Sequence, residues 1–167
     1  RDNKLQYPFQ TSWGSTTRLI GACIMTHSDN NGLVLPPAVA PVQVVVVPIA
    51  QHKPGVLDAA NALKSRLEAL DLRVKLDDSE QSPGWKFAQY EMKGVPLRVE
   101  IGPKDMEKQQ CCMARRDTGE KTFVPLSDLE SAVQQLLRDV HDNLYAMAEK
   151  NLEDNTFDLT TWEVVRD

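Results

Sequence analysis

The stretch VQVVVVPI, Val42 to Ile49, limits the fold of this chain more than any other. It is almost wholly β-branched, lacks polar alternation and is too short for an ordinary helix. It therefore predicts a strand covered on both faces, the place of a central strand in a parallel sheet. Such a strand needs helices on either side. After the breaker KPG, Val56, Ala60, Leu63, Leu67 and Leu70 recur at alternating spacings of four and three, which puts them on one helical face. Strand, turn and amphipathic helix form a crossover unit.

The pattern continues downstream. LRVKLDD alternates Leu72, Val74 and Leu76 against Arg73, Lys75 and Asp77, predicting a second strand. Ser82 and Pro83 are a helix start, since a hydroxyl can accept from free amides and Pro fits the first turn; Gly94 is the stop. VPLRVEIG turns Leu97, Val99 and Ile101 one way and Arg98 and Glu100 the other. QCCMARR and KTFVPL, joined by DTG, read as an antiparallel hairpin. Ser127 and Glu130 have capping-box spacing, and Leu129, Val133, Leu136, Val140, Leu144 and Met147 trace one face of a long helix from Ser127 to Leu152. The order βαβαβββα predicts a three-layer α/β domain around a mixed sheet of about five strands. Upstream, PPAVAP reads as an extended linker, with a domain boundary near Pro37 to Pro41.

Charge and motifs narrow the function. The formal net charge of −5 argues against a polyanionic partner only until it is placed along the chain. Residues 122–167 hold ten acidic against three basic side chains, whereas residues 86–121 hold eight basic against six acidic. The middle segment can therefore meet a phosphate backbone, and the acidic end reads as a solvated face. No run of about 18 apolar residues is present, which predicts no membrane-spanning helix. Cys23, Cys111 and Cys112 make neither an even framework nor a metal-ligand spacing, and they read as reduced structural cysteines. No metal site is expected. His27, His52 and His141 lie far apart, and no dinucleotide, P-loop or hydrolase motif occurs. The opening RDNKLQ has neither an apolar signal core nor an initiator Met, so the chain is expected to be a piece of a longer protein.

Two places carry chemistry. In SWGSTTR, Trp13 and Gly14 are expected at a strand end, and Thr16 or Thr17 can cap a helix with Arg18 in its first turn. A guanidinium there calls for an anionic ligand or an acidic neighbour; a plain surface Arg is the alternative. In YEMKGVPLRVEIGPKD, Glu91, Arg98, Lys104 and Asp105 can gather beside one sheet edge. Guanine offers N1 and N2 donors to a carboxylate and O6 and N7 acceptors to Arg or Lys, so this mixture suits unstacked bases. Ordinary surface salt bridges are the alternative.

TSWGSTTRLIGACIMTHSDNNGLVLPP, APVQVVVVPI, SPGWKFAQYEMKGVPLRVEIGPKD and ARRDTGEK, spanning Gln10 to Lys121, resemble the prolyl-tRNA synthetase family. The form is the class II one shared by archaea, the eukaryotic cytosol and some bacteria. The resemblance implies that residues 1–41 are the strand-helix-strand end of a class II catalytic domain. Within it Arg18 would meet the adenine and phosphates of ATP, Thr16 would lie beside the nucleotide, and Ser12, Trp13 and Gly14 would line the proline pocket. Residues 42–152 would be the anticodon-binding domain, with Glu91, Arg98, Lys104 and Asp105 reading two guanines of tRNA(Pro). Residues 153–167 would lead toward a further, often zinc-binding, domain. The implied enzyme is a cytoplasmic homodimer using ATP, magnesium and L-proline, and the piece alone is expected to be inactive and to bind no cofactor.

Two positions depart from the family: Ala38 stands where Arg is usual, and Ser28 where many members have Gly. Two other readings stay open. One is a free-standing RNA-binding or regulatory module; the other is a scaffold that uses the acidic long helix.

Overall fold

The computed structural model describes residues 4–157. Its centre is a five-stranded mixed sheet in the order β2-β1-β3-β4-β5. The strands are β1 (Val44–Pro48), β2 (Val74–Leu76), β3 (Leu97–Ile101), β4 (Gln110–Arg115) and β5 (Lys121–Pro125). β1 pairs parallel with both β2 and β3, and β3-β4 and β4-β5 are antiparallel. Val44–Val47 are all fully buried, as their unbroken apolar run requires.

Helices cover both faces. α2 (Val56–Glu68) and α5 (Leu129–Asp154) pack on the side of Val44, Val46, Leu97, Val99, Ile101 and Met113. α3 (Pro83–Met92) packs Tyr90 and Phe87 on the opposite side, against Val45 and Val47. Ser82 caps α3 through its hydroxyl, which accepts from the Trp85 amide at 3.4 Å, and Pro83 opens the first turn. A short α4 (Pro103–Glu107) follows β3, where the expected order βαβαβββα has no helix. Asp105 makes it possible, since its carboxylate accepts from the Gly102 amide at 3.0 Å. The vicinal cysteines point to opposite faces: Cys111 enters the α2/α5 core, and burial pushes its thiol up to about 11.

Two expectations for α5 need correction. Glu130 does not close a capping box with Ser127. Instead both its oxygens accept from Arg66 of α2, at 2.6 and 2.7 Å, while Ser127 donates to Asp128. A bidentate guanidinium is a stronger partner for a carboxylate than one backbone amide. The buried stripe is Leu129, Val133, Leu137, Val140 and Leu144; Leu136 is only partly buried, and Met147 is 57% exposed. The spacing is that of a helix lying along the sheet before running past it.

The N-terminal residues are different. α1 (Arg18–His27) buries no side chain, and residues 4–16 form no strand. The strand expected at Trp13 and Gly14 does not form, since among the described residues no neighbouring strand bonds it. Past α1 the backbone closes onto the sheet domain. PPAVAP is a compact turn, not an extended linker: Val39 and Ala40 donate to the Pro36 carbonyl at 3.0 and 3.1 Å. Arg73 gathers the turn by donating to the carbonyls of Pro37, Ala38 and Ala40, which satisfies acceptors that prolines leave without local donors. Val34 is buried with Val140 and Leu144 of α5. Residues 158–167, most of the expected tail linker, lie outside the described residues.

Candidate nucleic-acid interface

Strand register builds the site. On the α3 side of the sheet, Val45, Arg98 and Ala114 are successive partners across β1, β3 and β4, with Lys121 next on β5. One pair along, Val47, Glu100, Cys112 and Phe123 form the neighbouring row. α3 covers the Val45 and Val47 end. The small side chains of Ala114 and Cys112 make a floor, with charged and aromatic side chains along it.

Arg98 is the hub, 8% exposed. Its Nε donates to Glu100 at 2.9 Å and its Nη1 to Glu91 of α3 at 3.1 Å. The guanidinium carbon sits 4.0 Å from the centre of the Phe87 ring, so the cation is stacked as well as paired. Lys121 donates to the same Glu100 oxygen at 3.2 Å. Removing either carboxylate from so buried a cation would be costly, which keeps the group in one geometry. Arg98 Nη2 and Glu91 Oε2 make no hydrogen bond among the described residues, and the Glu91 side chain is 43% exposed. Beyond the Nη1–Oε1 contact, Arg98 thus keeps a donor and Glu91 an acceptor without a partner among the described residues, the two kinds of group that a guanine edge requires.

Two hollows lie around this group, one at the Glu91–Arg98 pair and one at Glu100 and Lys121. One, of about 220 Å³, is lined by Glu91, Arg98, Tyr90, Arg116 and the DTG turn. The other, of about 430 Å³, is lined by Lys53, Glu100, Lys104, Asp105, Lys121 and Phe123. The structure therefore brings Glu91 and Arg98 into direct contact and places Lys104 and Asp105 on the adjoining hollow. Lys104 is exposed, while one oxygen of Asp105 is occupied by the Gly102 amide. Phe123, 62% exposed, offers a ring face for stacking at the same hollow.

Ser12, Trp13, Gly14, Thr16 and Arg18 line neither hollow. All are exposed; Trp13 is 93% so. Thr16 Oγ1 accepts from the Arg18 amide at 3.3 Å, and Thr17, the N-cap, makes no side-chain cap. The Arg18 side chain has no hydrogen bond among the described residues and is open to an anion. Glu100, Lys121, Phe87 and Phe123 are the members that sequence reasoning missed. Alternation did put Glu100 on the Arg98 face, but only the pairing of β3, β4 and β5 brings Lys121 and Phe123 to it.

Residues 43–136 match the family model described as an anticodon binding domain. The chain is 56% identical over 163 residues to a proline--tRNA ligase of Ruminiclostridium cellulolyticum, covering 98% of this chain and 34% of that protein. It is 54% identical over 166 residues to proline--tRNA ligase 2 of Bacillus cereus, covering 99% and 35%. A Clostridium botulinum proline--tRNA ligase is 53% identical over 167 residues, covering 100% and 35%. The chain spans about a third of the length of these curated relatives.

Proposed function

The chain belongs to the anticodon-binding domain family, and from that premise we propose that residues 42–152 read the guanines of the tRNA(Pro) anticodon within a longer proline–tRNA ligase. The observation that carries this is Arg98, stacked on Phe87 and held by Glu91 and Glu100, with Arg98 Nη2 and Glu91 Oε2 making no hydrogen bond among the described residues. Together they present a donor and an acceptor to one base edge. Lys104, Lys53 and Lys121 supply phosphate contacts, and Phe123 a stacking face. Asp105 takes the second guanine with its remaining oxygen.

Residues 1–41 belong, in this reading, to the end of the catalytic domain, and 153–167 lead toward a further domain. The longer cytoplasmic enzyme, a homodimer, activates L-proline with ATP and magnesium and charges tRNA(Pro). Arg18, exposed in the first turn of α1 beside Thr16, suits the phosphates of ATP, and Ser12, Trp13 and Gly14 belong to the proline pocket.

The test is fluorescence anisotropy of the chain with a tRNA(Pro) anticodon stem-loop and with loops in which each guanine is replaced, at two salt concentrations. The expected result is tighter binding of the guanine loop, with the preference lost in Glu91→Ala or Arg98→Ala, worth about 1–3 kcal/mol. Binding indifferent to loop sequence would reject the reading.

A further inference from the structure

Glu91 is held at both ends. Its carboxylate meets Arg98, and its backbone carbonyl accepts from Arg116 Nε at 2.9 Å. Arg116, 8% exposed, is itself fixed by Asp29, whose two oxygens accept from Nη1 and Nη2, each at 2.7 Å. Asp29 lies two residues past α1, far from β4 in sequence, so the contact joins the N-terminal segment to the guanine-reading helix.

The same junction is locked by backbone. Leu33 donates to the Met92 carbonyl at 3.0 Å, and Leu35 to the Gly94 carbonyl at 3.4 Å. The approach is so close that glycine is required on both sides. A Cβ on Gly32 would lie 2.5 Å from Met92 Cα, and one on Gly94 would lie 2.7 Å from Leu33 Cβ; both residues also have positive φ. Residues 29–35 thus run as a brace along the C-terminal end of α3, where Glu91 sits.

We infer that Asp29 and Arg116 are positioning residues for anticodon discrimination, fixing the Glu91 backbone so that its carboxylate stays at the depth a guanine edge needs. Both residues line the smaller hollow, and in this role they act on the base through Glu91. The inference rests on the reading of Glu91 as a guanine contact. A neutral side chain at 29 leaves Arg116 with a weakened hold on the Glu91 carbonyl, so the last turn of α3 shifts by a small amount within the limits set by the Leu33–Met92 and Leu35–Gly94 hydrogen bonds. Geometry at a hydrogen-bonding pair is lost over fractions of an ångström, so discrimination falls before affinity does.

The experiment measures the ratio of dissociation constants for guanine-replaced and guanine stem-loops. It uses the 167-residue chain, its Asp29→Asn, Asp29→Glu and Glu91→Gln variants, and the Asp29→Asn/Glu91→Gln double variant. Asp29→Asn should cut the guanine preference about fivefold to tenfold. Affinity for the guanine-free loop should change far less than this ratio. Asp29→Glu should restore part of the preference, and Asp29→Asn should add nothing once Glu91 is Gln, because it acts through that residue. Arg116→Lys, which loses the bidentate pair but keeps the charge, replaces Asp29→Asn if thermal melting shows the latter unfolded. Full preference in Asp29→Asn, or an equal loss with and without Glu91, would overturn the positioning role while leaving the guanine reading intact. No preference in the parent chain would overturn both.

Discussion

Residues 4–27 and residues 42–154 both carry large apolar side chains, yet only the second region buries them. Leu5, Tyr7, Phe9, Trp13, Leu19, Ile20 and Met25 are all exposed, whereas Val44–Val47, Leu97, Val99 and Ile101 are sealed. The difference is one of opposing faces. A strand run and an amphipathic helix from one stretch of chain bury little unless another layer meets them, and the sheet domain contains all three of its layers. In the proposed function, the rest of the longer protein supplies the surface that α1 lacks. The apolar hollow between α1 and residues 33–41, about 380 Å³ and lined by Leu19, Ile20, Cys23 and Leu33 among others, belongs to that contrast.

The contrast can be broken most plainly by hydrogen exchange. Amides of β1 and β3 should exchange at least about a thousandfold more slowly than those of α1, because core strands open only with global unfolding and exposed helices open locally. Equal protection would show that α1 is held by contacts it does not make here. Next comes truncation. Val99→Ala should lower stability by about 1–3 kcal/mol in urea unfolding, since it leaves a void in the α2/α5 core, whereas Leu19→Ala should stay within about 0.5 kcal/mol.

The brace between the regions should respond to acid. The hydrogen bonds and charge of Arg116 hold the Asp29 carboxyl down at about 2, below its ordinary 3.8. A depressed carboxylate stabilises above its unfolded value, and that contribution is lost as pH falls through the folded one. Protection of residues 29–35 should therefore decline between about pH 4 and pH 2, with Asp29→Asn showing no such step. A gain in stability is expected at Ser28, whose hydroxyl oxygen is buried with no hydrogen-bond partner among the described residues. Ser28→Ala should raise the melting midpoint slightly, by roughly 1 kcal/mol of stability, because an unpaired buried polar group is removed.

Much of the sheet domain was legible because its signals are local. Unbroken Val residues, Ser82 before Pro83, and the alternation through Leu97–Ile101 each dictate structure within a few residues. What escaped detection depends on partners distant in the chain. Glu130 chose Arg66 over Ser127, and the proline turn folded around Arg73. At the site, Glu91, Arg98, Lys104 and Asp105 could be named from base-edge chemistry and family resemblance. The Lys121 and Phe123 contributions needed the β4-β5 register, and the Asp29–Arg116 clamp needed tertiary structure. Spacing in sequence carries no information about a pair 87 residues apart.

The interlocked glycines at 32 and 94 also decide where this molecule can bend. With residues 29–35 fastened to α3, and the proline turn fastened by Arg73, neither stretch is available as a hinge, although the prolines mark the junction in sequence. The pivot for α1 falls instead at His27 and Ser28, where the chain leaves the helix for an extended conformation. Any swing of α1 relative to the sheet would be a rotation about one or two residues, with an arm as long as the helix and a fixed base beside the hollow lined by Glu91 and Arg98.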